Sequence, residues 1–219
     1  MQIRFRDRQD AGQQLAAKLS QYANRLDVLV LALPRGGVPV AYEIAQELKV
    51  PLDICLVRKL GVPGQEELAM GAIATGDILV LNQEVLQSMD ISRSSLVEVA
   101  AAEKLELERR QKTYRGDRLA PEVSNHTVIL VDDGIATGST LRAAIAVLQQ
   151  QNPREIIVAV PVAPPSSYEA LKTEVSEVVS LLTPTHLNSI GQWYRDFSQT
   201  SDEEVCRLLE QAAKSLKPL

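Results

Sequence analysis

Two adjacent carboxylates followed by a run of glycines and hydroxyls are the residues of this chain best suited to chemistry. They stand in the segment Asp132-Asp133-Gly134-Ile135-Ala136-Thr137-Gly138-Ser139-Thr140. An apolar run, 128–131, precedes them, and a stretch of helical character, 139–150, follows. Strand, loop and helix in that order put the loop at the carboxyl edge of a sheet, where ligands of open α/β folds bind. A helix start offers unpaired N–H groups and the positive end of the helix dipole, which suit a phosphate. Gly134 and Gly138 let the backbone come close to such a group, and Thr137, Ser139 and Thr140 supply hydroxyl donors. Two acids beside a phosphate nest would repel it, so they need another task. Binding sugar hydroxyls, with a cation nearby, is the natural one. Other phosphate loops fit less well: Gly138 stands where a Walker-type loop needs lysine, and the Gly-x-Gly-x-x-Gly fingerprint is absent.

Two further segments carry suitable groups. Leu33-Pro34-Arg35-Gly36-Gly37 lies about a hundred residues upstream, between the apolar run 28–33 and a predicted helix over 38–48. Its glycines permit an unusual backbone path, and Arg35 provides a permanently charged fork for phosphate oxygens. Arg58-Lys59 closes a second apolar segment, 52–57, and Gly61, Pro63 and Gly64 follow. The stretch 58–68 reads as a loop, and 61–67 could form a lid that excludes water.

The stretch from Val131 to Thr140 resembles the binding signature for 5-phosphoribosyl-1-pyrophosphate (PRPP) of the type I phosphoribosyltransferase family. The resemblance covers about 27–182. It implies that Asp132 and Asp133 meet the ribose hydroxyls and a Mg²⁺ ion through water. It also implies that Ala136, Thr137, Gly138, Ser139 and Thr140 cradle the 5'-phosphate. Arg35, Gly36 and Gly37 match the family's pyrophosphate loop, and Arg58 and Lys59 stand where basic residues of several members reach the pyrophosphate. The expected catalytic set is Arg35, Lys59, Asp132 and Asp133. The expected reaction moves the ribose 5-phosphate group from PRPP to an acceptor, a nitrogenous base in most members, and releases pyrophosphate. A PRPP-binding regulator without turnover is the alternative. Ala136 occupies a place that is usually acidic in 6-oxopurine enzymes, which argues against hypoxanthine or guanine. A base-recognising hood is expected in 183–197, where Trp193 and Tyr194 are candidates to stack an acceptor or simply to pack the cap. The resemblance also favours a dimer.

The elements that must position these groups alternate. Helix is expected over 7–22, strand over 28–33, helix over 38–48, strand over 52–57, and a hairpin over 69–81 around Thr75-Gly76-Asp77. A long polar helix over 92–115, with Ser92 as its N-cap, leads to strands at 128–131, 155–160 and 175–182 and a closing helix over 201–213. The fold class is therefore α/β: a Rossmann-like parallel sheet flanked by helices, with an appended hood. One domain is expected over 1–219, its core at about 27–182 and its cap at 183–219. The chain is 45% hydrophobic and 23% charged, with a formal net charge of −5 over 219 residues. That balance offers no basic face for nucleic acid. No apolar stretch reaches membrane-span length. Two distant cysteines and an amino terminus without a signal-peptide core point to a reducing cytoplasm.

Overall fold

The computed structural model describes residues 4–76, 78–116 and 118–215. Residues 1–3 and Asp77, the last residue of the expected hairpin turn, lie outside them. In chain order the elements are α1 (Arg8–Lys18), β1 (Val28–Ala32), α2 (Gly37–Leu48), β2 (Leu52–Ile54), β3 (Val57–Val62), β4 (Gln65–Ala74) and β5 (Ile78–Leu81). There follow α3 (Gln83–Ser88), α4 (Arg93–Tyr114), β6 (Thr127–Val131), α5 (Ser139–Gln149), β7 (Glu155–Val162), α6 (Pro165–Leu171), β8 (Glu177–Leu182) and α7 (Asp202–Ser215). They fall into two compact units. One comprises the chain up to Cys55, Ala120–Thr137 and the chain from Asn152; the other comprises Leu56–Leu119 and Gly138–Gln151.

The first unit is built on a parallel five-stranded sheet of order β2-β1-β6-β7-β8. Every residue of β1 and β6 is buried, and so is all of β7 after Glu155. Unbroken apolar runs such as Val28-Leu29-Val30-Leu31-Ala32 are what a strand covered on both faces requires. Helix α2 packs on β1, β2 and β6, α1 on β7 and β8, and α7 against α2 and β2. Val205, Leu208, Leu209 and Ala212 are the buried positions of α7, a single stripe at helical spacing. The expected parallel sheet with flanking helices is the observed core.

The second unit holds the antiparallel sheet β3-β4-β5, with α3, α4 and α5 packed on it. Here the expected loop over 58–68 is corrected. Strand β3 runs through Arg58 and Lys59 to Val62, and β4 begins at Gln65. Pro63 and Gly64 are the whole turn. Gly64 has φ +79°, as the third residue of a type II turn demands. The exposed start of β4, Gln65-Glu66-Glu67-Leu68, lacks the apolar alternation that marks a strand, which is why it read as loop. Helix α4 is the expected long helix, with Ser92 accepting from the Ser95 amide as N-cap. Among the described residues no helix is long and apolar enough to cross a membrane.

Helices α1 and α2 touch at Gly12. A Cβ there would stand 2.6 Å from the Val40 carbonyl oxygen and 2.8 Å from the Glu43 Cβ. Alanine would gain up to about 1 kcal/mol of helix propensity. Both obstacles are anchored to backbone, however, and overpacking of this kind costs about 1–3 kcal/mol. Gly12→Ala should therefore lower stability in chemical denaturation. A midpoint at or above that of the wild type would show that α1 can shift away from α2.

Candidate functional site

The site begins with register. Strands β1 and β6 pair in parallel from Val28↔Thr127 to Ala32↔Val131, so both end at one edge of the sheet. The Leu33 amide continues the ladder by donating to the Val131 carbonyl at 2.8 Å. The loops that follow, 34–36 and 132–137, thus leave the sheet side by side although about a hundred residues separate them. The Pro34–Arg35 peptide bond is cis. A Cβ on Gly36 would stand 2.0 Å from Asp133 Oδ2, and one on Gly37 would stand 2.7 Å from the Val131 carbonyl oxygen. Both positions are glycine because nothing larger fits. Gly134 has φ +155°, and a Cβ there would meet Ile190 Cγ2 at 2.6 Å.

The two carboxylates differ in their surroundings. Asp132 Oδ1 accepts from the Asp133 amide at 2.8 Å. Burial and the adjacent Asp133 charge push the Asp132 carboxyl well above the usual range. Burial also raises Asp133, but the Arg8 guanidinium opposes it. Arg8, in the first turn of α1, donates Nε and extends Nη2 to Asp133 Oδ2, each at 2.8 Å. Its Nη1 donates to the Ser198 carbonyl at 2.7 Å, and its Cζ lies over the Phe197 ring, 3.9 Å from the centre. Nothing in the sequence singled out Arg8. It lies 125 residues from Asp133, and only the folded chain brings the two together.

The other expected residues are placed as follows. Arg35 leans toward α7, where Nη1 is 3.7 Å from Asp202 Oδ1, and its side chain is 37% exposed. Ala136 and Thr137 are exposed, and the Ala136 carbonyl accepts from Ser167 Oγ at 3.3 Å. The signature then enters the second unit. There Gly138, with φ +76°, takes the N-cap position of α5 without a side-chain cap, Ser139 is half-buried and Thr140 is exposed. In that unit Arg58 pairs with Glu103 on α4. Lys59 reaches Glu67 across the β3–β4 hairpin at 3.2 Å.

Of the two readings open for Trp193 and Tyr194, packing of the cap is the one their surroundings favour. Both rings are buried, with Phe5, Ala11 and Val162, against Leu187, Ile190 and Phe197. Tyr194 stands 5.4 Å from Phe5 and 4.9 Å from Phe197, centroid to centroid. Both side chains thus buttress the cap. Tyr194 Oη donates to the Asp133 carbonyl at 2.7 Å, and burial pushes its ionisation far above the usual range. The cap is also not confined to 183–219. The Phe5 amide donates to the Trp193 carbonyl and the Arg195 amide to the Phe5 carbonyl, so the amino-terminal segment is woven into it.

Tyr194→Phe removes one donor and leaves the Asp133 carbonyl unsatisfied in a buried setting. A stability loss of about 1–3 kcal/mol is expected in denaturant titration. A loss below about 0.5 kcal/mol, the bottom of the range for a net hydrogen bond, would mean that solvent replaces the phenol.

Known proteins share this arrangement over nearly the whole chain. The crystal structure of the Thermus thermophilus protein TT1426 superposes with a TM-score of 0.88 at 42% identity, covering 95% of this chain and 99% of that one. A Mycobacterium tuberculosis protein provisionally named a phosphoribosyl transferase is 43% identical over 208 residues, which is 95% of this chain. That stretch is 47% of the mycobacterial protein, so the chain spans about half the length of the curated relatives it matches. A uracil phosphoribosyltransferase of Acinetobacter baylyi is 34% identical over 88 residues, 38% of this chain and 42% of that protein. The profile of the phosphoribosyl transferase domain matches residues 6–194, from the segment that carries Arg8 through the acidic pair to Tyr194, and by that match the chain belongs to the phosphoribosyl transferase domain family.

Proposed function

We propose that the chain transfers the ribose 5-phosphate group of PRPP to a nitrogenous base and releases pyrophosphate. The observation that carries this reading is the meeting of Gly36 and Asp133 at one sheet edge, where a Cβ would come within 2.0 Å of the carboxylate. One ligand can then touch the Arg35–Gly37 loop through its pyrophosphate and the acidic pair through its ribose. In the reaction the bond from C1 to the pyrophosphate oxygen breaks, and a bond from a ring nitrogen to C1 forms. The nitrogen's proton passes to solvent. By analogy with glycoside chemistry, positive charge develops on the ribose ring. Asp132 and Asp133 accept from the ribose hydroxyls and hold the ring in place. Arg35 faces growing negative charge as pyrophosphate departs. Its exposed, 3.7 Å contact with Asp202 is of a kind worth at most about 1 kcal/mol, so an arriving anion can displace it. The family resemblance gives Lys59 and Arg58 a pyrophosphate role as well; within their own unit they pair with Glu67 and Glu103.

The residues fit Mg²⁺. Among the described residues no three carboxylate, histidine or cysteine groups gather as a metal cage. Two adjacent carboxylates suit an ion that keeps several waters and takes its other ligands from substrate phosphates. Asp132 and Asp133 would hold it through water. Bound there, Mg²⁺ supplies neutralisation of pyrophosphate charge.

The deciding experiment is pyrophosphate release from Mg-PRPP across a panel of bases. Uracil goes first, because the Acinetobacter relative is named for it. Release with one base supports the transferase reading, whereas PRPP binding without release with any base points to a regulator. Asp132→Asn with Asp133→Asn should abolish Mg-PRPP binding while circular dichroism stays native. Undiminished affinity would remove the pair from the site. Arg35→Ala should cost about 3 kcal/mol, roughly a hundredfold, in single-turnover release. A rate within about threefold of wild type, some 0.7 kcal/mol, would remove Arg35 from the mechanism.

A further inference from the structure

We propose that Arg8 is a positioning residue for the ribose site: it holds Asp133 by one oxygen so that the other is presented to the sugar. The proposal rests on the PRPP reading above. Both contacts from Arg8 go to Oδ2, at 2.8 Å each, and Oδ1 takes no part in the pair. Gly36 leaves the space this requires, since a Cβ there would stand 2.0 Å from Oδ2. The Asp133 main chain is held as well, through its carbonyl, by Tyr194. The aspartate is therefore fixed at its side chain from α1 and at its backbone from the cap, and its rotamer is set before a ligand arrives. A preset acceptor loses little entropy on binding, which is how orienting groups improve affinity.

The opposite reading makes Arg8 a latch that occupies Asp133 and must swing away for the ribose to bind. The surroundings of Arg8 argue against it. Its side chain is 11% exposed. The third nitrogen is bound to the Ser198 carbonyl, and the guanidinium carbon lies over the Phe197 ring. Swinging it out would break three charge-assisted contacts and a ring contact and strand the carboxylate in a poorly hydrated place. Sugar hydroxyls are neutral and offer weaker hydrogen bonds in return. Arg8 is built as a fixture.

The test is calorimetric titration of Mg-PRPP into wild type, Arg8→Ala and Arg8→Lys, each checked for native circular dichroism. Losing a group that orients a ligand-binding side chain typically costs about 10- to 100-fold, and that loss of PRPP affinity is expected for Arg8→Ala. Ethylguanidinium should restore part of it by filling the vacated fork, with no effect on wild type. Arg8→Lys keeps the charge but not the planar fork, and it should fall between. Once an acceptor is known, the loss should appear in KM for PRPP more than in kcat. Tighter binding by Arg8→Ala would establish the latch instead. Unchanged affinity, with wild type binding normally, would overturn the assignment alone. Failure of wild type to bind Mg-PRPP would overturn the phosphoribosyl reading and this assignment together. Should Arg8→Ala not fold, Arg8→Lys with wild-type affinity overturns the proposal.

Discussion

The close approach of the Gly36 backbone to the Asp133 carboxylate constrains the first unit more than any other contact. The two residues belong to loops that leave the parallel strands β1 and β6, whose five-residue register fixes how far apart the loops start. Because Gly36 has no side chain, the loops can converge until Asp133 Oδ2 stands 2.0 Å from where a Cβ would be. The acidic pair is thereby wedged between one loop and α1, and it must find its counter-charge there. Arg8 supplies it. The amino-terminal segment that carries Arg8 is in turn held by Phe5, which exchanges backbone hydrogen bonds with Trp193 and Arg195 and packs its ring on Tyr194. A single missing side chain thus links the sheet edge to the cap.

An ion pair this well enclosed is weak grounds for stability. Desolvating both charges costs several kcal/mol per ion, and apolar replacements of similar shape are often neutral or better. Removing one partner is a different matter, at about 3–5 kcal/mol, because it leaves the other charge uncompensated. Burial already pushes both carboxyls up, with the Asp133 charge adding to the rise at Asp132, and without Arg8 the rise at Asp133 would be larger. A fold that needed only packing at this edge would have no use for two adjacent acids. Their presence makes sense where hydroxyl groups or a hydrated cation complete the set.

The sequence was informative wherever one physical cause dominated. Apolar runs such as 28–33 and 128–131 pointed to strands covered on both faces, and Ser92 announced α4. The strand–Asp-Asp–Gly loop–helix order located the acidic pair at a strand end, and the parallel sheet that it implied brought Arg35 to the same edge. Where two causes competed, the reading misled or stayed open. Pro63 and Gly64 signal irregularity, yet the strands run up to them, and the polar start of β4 hides its own strand character. Trp193 and Tyr194 have surfaces equally suited to a ligand or to a core, and Phe5 decides the matter from the far end of the chain. Arg8 left no trace at all. An arginine in the first turn of a surface helix looks like any other until the fold sets it against Asp133.

Under the proposed reading, Arg8 and Arg35 are one residue type fitted for opposite tasks. A side chain that must hold a carboxylate steady has to be costly to move. Arg8 meets that condition with three hydrogen-bonded nitrogens, a ring contact and 11% exposure. A side chain that is to meet an arriving anion must be cheap to release. Arg35 meets that one with 37% exposure and a single long contact to Asp202. Exchanging the two environments would defeat both tasks. A loosely held Arg8 would let Asp133 rotate into its neighbour, and a tightly clamped Arg35 would make a ligand compete with a buried pair. The division follows from where each residue sits. Arg8 enters from a helix whose flank is covered by the cap, while Arg35 stands on a short loop after β1, where its guanidinium is held only by a long, half-exposed contact with Asp202.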